Sequence, residues 1–194
     1  MLTLLLAMEE GALRQRAELP TPARCEELLA GMARGDGGAF EAFYRATDRT
    51  LYAYALSLTR NHHDAQDVMM ETYLRLRQGA RGYRSQGKPM AWVFAVTRNV
   101  AMSHLRAAGR EQSWGIVPEE AIPPLEEESL ERLVLKAALE DLEEAEREIV
   151  LLHAVSGLHH REIGAVLGLP LGTVLSKYTR ALGKLRKRLE EKEV

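Results

Sequence analysis

From Glu26 onward the apolar side chains recur at intervals of three and four residues, and nowhere do they alternate with polar ones as a half-buried strand requires. In an α-helix that spacing gathers side chains on one stripe, and the stripe has to be covered. Helices packed on helices are the way to cover it, so the expected fold class is all-α. Residues 39–60 are the clearest case, with Phe40, Phe43, Tyr44, Thr47, Leu51, Tyr54, Ala55 and Leu58 on one stripe. A short amphipathic helix over 26–34, with Leu28, Leu29 and Met32 on one face, precedes it and stops at the breakers Gly35-Asp36-Gly37-Gly38. Asn61-His62-His63 interrupts the pattern. Asp64 suits the N-cap of a helix over 65–78, whose apolar contacts are Val68, Tyr73, Leu74 and Leu76. A helix over 90–108 is anchored by Trp92, Val93, Val96, Val100 and Leu105, and residues 130–144, 146–156, 160–167 and 171–191 read as four more.

Two helical domains are expected, because the stretch after Gly109 holds Pro118, Pro123, Pro124 and a run of Glu, a linker composition. The expected boundaries are an N-terminal extension over 1–25, a first domain over 26–108, an acidic linker over 109–129 and a second domain over 130–194. Pro20 and Pro22 separate the extension from the first domain; a helix docking Leu4–Leu6 on the body is the alternative. Charge obeys the same division. The net −2 hides 11 basic and 6 acidic residues over 35–110, 3 and 13 over 111–148, and 8 and 4 over 149–194. Two basic blocks flanking an acidic one suggest binding to a polyanion, with solvated helix faces as the plain alternative. Leu2–Met8 is far shorter than the ~20 apolar residues of a membrane span. It also lacks the basic residues that open a secretory signal, so a cytoplasmic location without membrane insertion is expected. The single cysteine, Cys25, excludes an intrachain disulfide and a cysteine zinc cage. His62-His63 and His159-His160 are adjacent pairs rather than the i, i+4 pairs that grip a metal, so no metal site and no cofactor is expected.

Residues 160–188 carry the sharpest signal. Ile163, Val166 and Leu167 pack inward from a first helix, Gly164 permits close helix approach, and Gly168 ends that helix. Pro170 stands where the first turn of the next helix should begin. Val174, Tyr178, Ala181, Leu182, Leu185 and Leu189 form that helix's inward stripe. Thr173, Ser176, Lys177, Arg180, Lys184 and Lys187 lie opposite. Short polar residues near the start of such a helix, with cations further along, fit a helix-turn-helix whose second helix enters the major groove. An ordinary helical hairpin with a basic surface is the alternative.

At these residues the chain resembles the extracytoplasmic-function (ECF) group of bacterial sigma factors, within the sigma-70 family. The C-terminal likeness runs from Leu139-Glu-Asp-Leu-Glu and Arg147-Glu-Ile-Val-Leu-Leu through Gly157-Leu158, Glu162-Ile163, Leu167-Gly168, Gly172-Thr173-Val174, Ser176 and Arg180-Ala181. An independent N-terminal likeness rests on Gly35-Asp36, Ala39-Phe40, Phe43-Tyr44, Asp64-Ala-Gln-Asp-Val, Glu71-Thr-Tyr-Leu-Arg-Leu, Ala91-Trp92-Val-Phe-Ala-Val, Arg98-Asn99 and Leu105-Arg106. The resemblance covers about residues 26–108 and 130–191. Departures are Met70, where the family often has Gln, Ser103, where it often has an acid, and Leu175, where it often has Lys.

The resemblance implies a promoter-specificity subunit of RNA polymerase with no catalytic group of its own. Its implied partners are core RNA polymerase, through the β′ clamp helices and the β flap, promoter DNA, and an anti-sigma factor. Asp64, Asp67 and Glu71, on one helix face by spacing, are the implied polymerase contacts; a solvated capping cluster is the alternative. The loop residues Tyr83, Arg84, Ser85, Gln86 and Lys88, with Arg98 and Asn99 on the next helix, are the implied −10 contacts. Tyr83 there offers a stacking face for a flipped base, or else packs on the core of a flexible loop. Trp92 belongs to the core rather than to a base wedge. Thr173, Ser176, Lys177, Arg180 and Lys184 are the implied −35 contacts. A stand-alone helix-turn-helix regulator would account for the C-terminal helix but not for the motifs at 64–71 and 92–106. A metal-dependent nuclease would need clustered carboxylates and histidines that the spacings do not offer.

Overall fold

The computed structural model describes residues 19–85, 87–109, 139, 141–154 and 156–190. Among them are seven α-helices, one 3₁₀ turn and no strand. They are α1 (Pro22–Ala33), α2 (Gly37–Thr59), α3 (His62–Gly79), α4 (Pro89–Ala107), α5 (Glu144–Ala154), α6 (His160–Leu167) and α7 (Leu171–Glu190). The chain divides into two compact units, α1–α4 in one and α5–α7 in the other. The expected linker and most of the expected helix over 130–144 lie outside the described residues.

In the N-terminal unit, α1 starts four residues earlier than its apolar spacing indicates. Thr21 caps it, its hydroxyl accepting from the Arg24 N–H at 3.3 Å. Pro22 is the first helical residue, where a missing N–H has no intrahelical partner to lose. Pro22 therefore opens the helix instead of separating an extension from it. Cys25 is consequently a core residue, fully buried, with its sulfur 3.7 Å from that of Met90. Burial pushes its thiol up to about 12, which leaves it unreactive. Asp36 caps α2 through the N–H groups of Gly38 and Ala39 at 2.8 and 3.2 Å. The core is built from Leu29, Phe43, Leu51, Val68, Leu76, Val93 and Phe94. Asn61, not Asp64, caps α3, accepting from the Asp64 N–H at 3.1 Å. The histidines of the 62–63 pair thus lie inside the first turn rather than in a break.

In the C-terminal unit, Leu142, Val150, Ala181 and Leu185 form a core, flanked by Leu139, Tyr178 and Leu182. Ile149, Leu152, Ile163 and Val174 are buried as well. Arg147 donates from its guanidinium to the carbonyls of Leu139 and Leu142 at 2.8 and 3.0 Å, which ties down the segment before α5. The turn between α6 and α7 is as expected: Gly168 adopts the left-handed conformation at φ 68°. Pro170 lies just ahead of α7 rather than within it, and its carbonyl accepts from the N–H groups of Thr173 and Val174.

Gly164 makes that turn possible. A Cβ there would sit 2.8 Å from the Leu169 carbonyl oxygen, a backbone atom that no rotamer change can move aside. Gly183, within α7, would meet nothing within 4 Å. Gly164→Ala is therefore expected to destabilise the C-terminal unit by about 1–3 kcal/mol, and Gly183→Ala to stabilise it by about 0.5–1 kcal/mol. Urea unfolding of the full chain monitored by circular dichroism reads both, and equal signs for the two would refute the packing argument.

Candidate polymerase and nucleic-acid interfaces

The outward face of α3 is apolar where a solvated helix would be polar. Met70 is 70% exposed and Leu74 50%. Both border an open groove together with Tyr44 of α2, itself 44% exposed, and with Phe40 and Tyr73. The rings of Tyr44 and Tyr73 lie 4.7 Å apart, and the Arg77 guanidinium stands over Phe40. Leu74 and Tyr44 thus leave the core that their spacing predicts. Asp67 is exposed beside them.

The three acids expected on this face do not stay together. Asp64 is 9% exposed, and its carboxylate accepts from His104 Nε2 at 3.0 Å, so the last turn of α4 covers it. Equal helical phase does not guarantee equal exposure, because a neighbouring helix covers only part of α3's length. Glu71 is half-exposed and held by the Arg75 guanidinium at 2.6 Å.

In the loop before α4, Arg84, Ser85 and Lys88 are exposed. Tyr83 is half-buried, its ring 4.9 Å from that of Trp92. Trp92 in turn covers Gly79, where a Cβ would stand 3.2 Å from the indole, so Trp92 is a packing residue as expected. Tyr83 therefore already has an aromatic partner, with the two rings tilted at 45°. Ser85 donates to the Glu26 carboxylate at 2.5 Å. On α4, Arg98 is half-buried and Asn99 exposed. Gln86 lies outside the described residues.

On α7 the expected row of phosphate-facing cations turns inward to the start of α5. Lys184 donates from Nζ to Glu146 Oε2 at 2.7 Å, Arg180 lies 3.7 Å from Glu146 Oε1, and Lys177 donates to Glu143 at 3.3 Å. Glu146 has no exposed side-chain surface. The Lys177 ammonium, hydrogen-bonded to Glu143, holds that carboxyl below its ordinary range. For Arg180 and Lys184 the physical reason is the desolvation of Glu146: a buried carboxylate requires a cation, and α7 supplies it. Thr173 is half-buried. Ser176 is exposed, its hydroxyl donating to the Thr173 carbonyl at 3.0 Å. The exposed residues of α7 are Leu171, Gly172, Leu175, Ser176, Thr179, Arg180, Gly183, Arg186, Lys187 and Arg188. Leu175, Thr179 and Arg186 were not among the expected contacts. A helical wheel centred on Val174, Ala181 and Leu185 would have found Thr179, since Gly172, Ser176, Thr179 and Gly183 lie opposite that stripe.

Among the described residues no cluster of three or more His, Cys, Asp or Glu side chains is placed to hold a metal. The histidines have a packing role: His153 and His160 stack at 4.7 Å, and both meet the Tyr178 ring edge-on.

Residues 43–111 match the sigma-70 region 2 family and residues 132–185 the sigma-70 region 4 family. Similar curated proteins include the ECF RNA polymerase sigma factor SigL of Mycobacterium tuberculosis, 30% identical over 84% of this chain and 96% of that one. Another is the ECF sigma factor SigE of Mycolicibacterium smegmatis, 32% identical over 79% of this chain, which spans 64% of that protein's length. Among solved structures, the sigma factor RpoE in complex with the anti-sigma factor NepR from Bartonella quintana matches at a TM-score of 0.64 and 27% identity, over 78% of this chain and 96% of that one. CnrH, in complex with the cytosolic domain of CnrY, shares the fold at a TM-score of 0.63 and 24% identity, over 87% of this chain and 98% of that one. The chain belongs to the ECF sigma factors of the sigma-70 family and is an RNA polymerase sigma factor. Sigma factors are non-enzymatic initiation factors. A stand-alone helix-turn-helix regulator would match region 4 alone. No helix among the described residues is long and apolar enough to cross a membrane.

The buried charge of the C-terminal unit can be tested directly. Lys184→Ala leaves Glu146 buried against a weakened partner set, so it is expected to cost about 1–3 kcal/mol in urea unfolding. Lys187→Ala, at an exposed position, is expected to stay within about 0.5 kcal/mol. The histidine stack responds to acid. Burial, then the neighbouring His153 and His159, lowers the His160 pKa, so the folded state favours its neutral form. Unfolded His160 takes up its proton near pH ~6.5. Its stabilising effect is thus fully present above that pH and is lost as the pH falls below it towards the lower folded-state value. Urea midpoints between pH 7.5 and 5.5 should fall for the wild type and fall less for His160→Phe; equal slopes would remove His160 as the cause.

Proposed function

We propose that the N-terminal unit docks on the β′ clamp helices of core RNA polymerase through Asp67, Met70 and Leu74 of α3, with Tyr44 beside them. The observation that carries this reading is the exposed apolar set itself. Three of the five large hydrophobic side chains exposed among the described residues border this one groove. An exposed apolar patch rimmed by charge marks an interaction surface. Glu71 stands at its edge. Asp64 serves the fold and is left out of the contact.

The same reading gives the loop residues Tyr83, Arg84, Ser85, Gln86 and Lys88, with Arg98 and Asn99, to the −10 element. The tilted Tyr83–Trp92 contact supports a platform for a displaced base, since it holds the Tyr83 ring in place beside two exposed cations. The C-terminal unit takes the −35 element on α7, with Ser176 at base edges and Arg180, Arg186 and Lys187 at phosphates, and meets the polymerase β flap. Residues 22–108, extended from the expected start at 26 to include the whole of α1, and 130–194 are accordingly the two functional domains. The chain works in the cytoplasm, under an anti-sigma factor; the RpoE–NepR complex supports that last assignment.

Asp67→Arg combined with Met70→Glu is expected to lower capture of core polymerase about tenfold or more while leaving the helical circular-dichroism signal unchanged. Capture at wild-type strength would refute the docking face. Arg186→Ala is expected to weaken binding of polymerase holoenzyme to all promoters alike and to lower the salt slope by ~1; an altered sequence preference instead would make Arg186 a base reader.

A further inference from the structure

Leu171 and Leu175 are 38% and 45% exposed on a helix whose core stripe lies elsewhere, on Val174, Ala181 and Leu185. They are one turn apart, so they form a short apolar ridge on the first two turns of α7. Beside the ridge the surface is low. Ser176 and Thr179 are exposed and small, and a Cβ at Gly172 or Gly183 would meet nothing within 4 Å. The one long side chain next to that low surface is Arg180, exposed but leaning towards Glu146 at 3.7 Å, and Arg186 and Lys187, both exposed, follow three turns beyond Leu175. Lys177 and Lys184 lie on the far side of the helix from the ridge and are bound to Glu143 and Glu146.

A ligand for this face must therefore be flat, apolar at one point near the helix start, and anionic about three turns away. Duplex DNA offers that combination in its major groove. There the thymine C5-methyl is the apolar feature that distinguishes one base edge, and phosphates border it. Resting on the assignment of α7 to the −35 element, we propose that Leu175, backed by Leu171, reads the methyl group of a thymine in that element. The contact specifies its base by apolar burial, without the bidentate hydrogen bonds by which arginine reads guanine. Cytosine in that place removes the methyl, and guanine or adenine in its strand places a purine edge against a leucine that can form no hydrogen bond. Ser176 and Thr179 supply hydroxyls to the neighbouring positions.

The test removes the methyl alone. The full chain, assembled with core polymerase, is used to select promoters from a pool randomised over the −35 region, and each thymine of the selected sequence is then replaced singly by deoxyuridine. One replacement is expected to weaken holoenzyme binding about fourfold, the worth of one buried methyl group, and the others to have little effect. Leu175→Ala should bind the thymine and deoxyuridine versions of that position equally, with an unchanged melting temperature because the side chain is exposed. A wild-type chain that selects a −35 sequence but is indifferent to every deoxyuridine would overturn the leucine contact and leave the −35 assignment standing. Retained sensitivity in Leu175→Ala would also overturn it. If the wild type selects no −35 sequence at all, the assignment of α7 falls and takes this proposal with it.

Discussion

Each unit is held by one carboxylate that its helices take out of water. Asp64 and Glu146 both lie in the first turn of a helix, where the positive end of the backbone dipole favours an acid. Both are covered by a second helix that brings a partner: His104 from the end of α4 as a hydrogen-bond partner, and the cations Lys184 and Arg180 from α7. An uncompensated charge in such a place costs several kcal/mol, so the partner is obligatory. That obligation fixes more than a contact. It ties the start of α3 to the end of α4 and the start of α5 to the middle of α7. The rotation of α7 about its own axis is set in turn, because Arg180 and Lys184 must reach Glu146 while Val174, Ala181 and Leu185 face the core. The face left outward is that of Gly172, Leu175, Ser176, Thr179 and Gly183.

The same two carboxylates mark where reading the sequence succeeds and where it stops. Apolar periodicity locates the helices, because burying a stripe is a local demand that spacing reveals. The turn at Gly168 is legible for the same reason: only a residue without a Cβ ends a helix in the left-handed conformation at no cost. Helix starts are less legible, since Thr21-Pro22 and Asn61 compete with other plausible caps within three or four residues. Polar residues are the least legible. Spacing puts Asp64 with Asp67 and Glu71, and Lys184 with Arg180, but it carries no information on which of them a distant helix covers. His104 lies 40 residues from Asp64 and Lys184 lies 38 from Glu146. Exposed apolar residues escape for the mirror reason: Leu74 and Tyr44 read as core because an apolar residue at helical spacing usually is.

The exposed apolar residues and the buried charges belong to one arrangement. Of the eight basic residues over 149–194, Lys177 is bound to Glu143 and Lys184 to the buried Glu146, which removes these two from the set that neutralises phosphates. Non-specific affinity for DNA grows with the number of phosphates neutralised, whatever their sequence. A recognition helix that turns its cations inward and presents leucine, serine and threonine outward loses general attraction and keeps contacts that depend on the base. The acidic block over 111–148 acts in the same direction, since it offsets the two basic blocks and leaves the chain as a whole at −2, with little long-range pull towards a polyanion. Such a chain gains from being delivered to promoters by a partner, and the apolar groove of Tyr44, Met70 and Leu74 beside Asp67 is suited to one. A partner that held DNA and bound there would place α7 at high local concentration next to that DNA, so contacts too weak to retain the free chain would become sufficient once it is tethered.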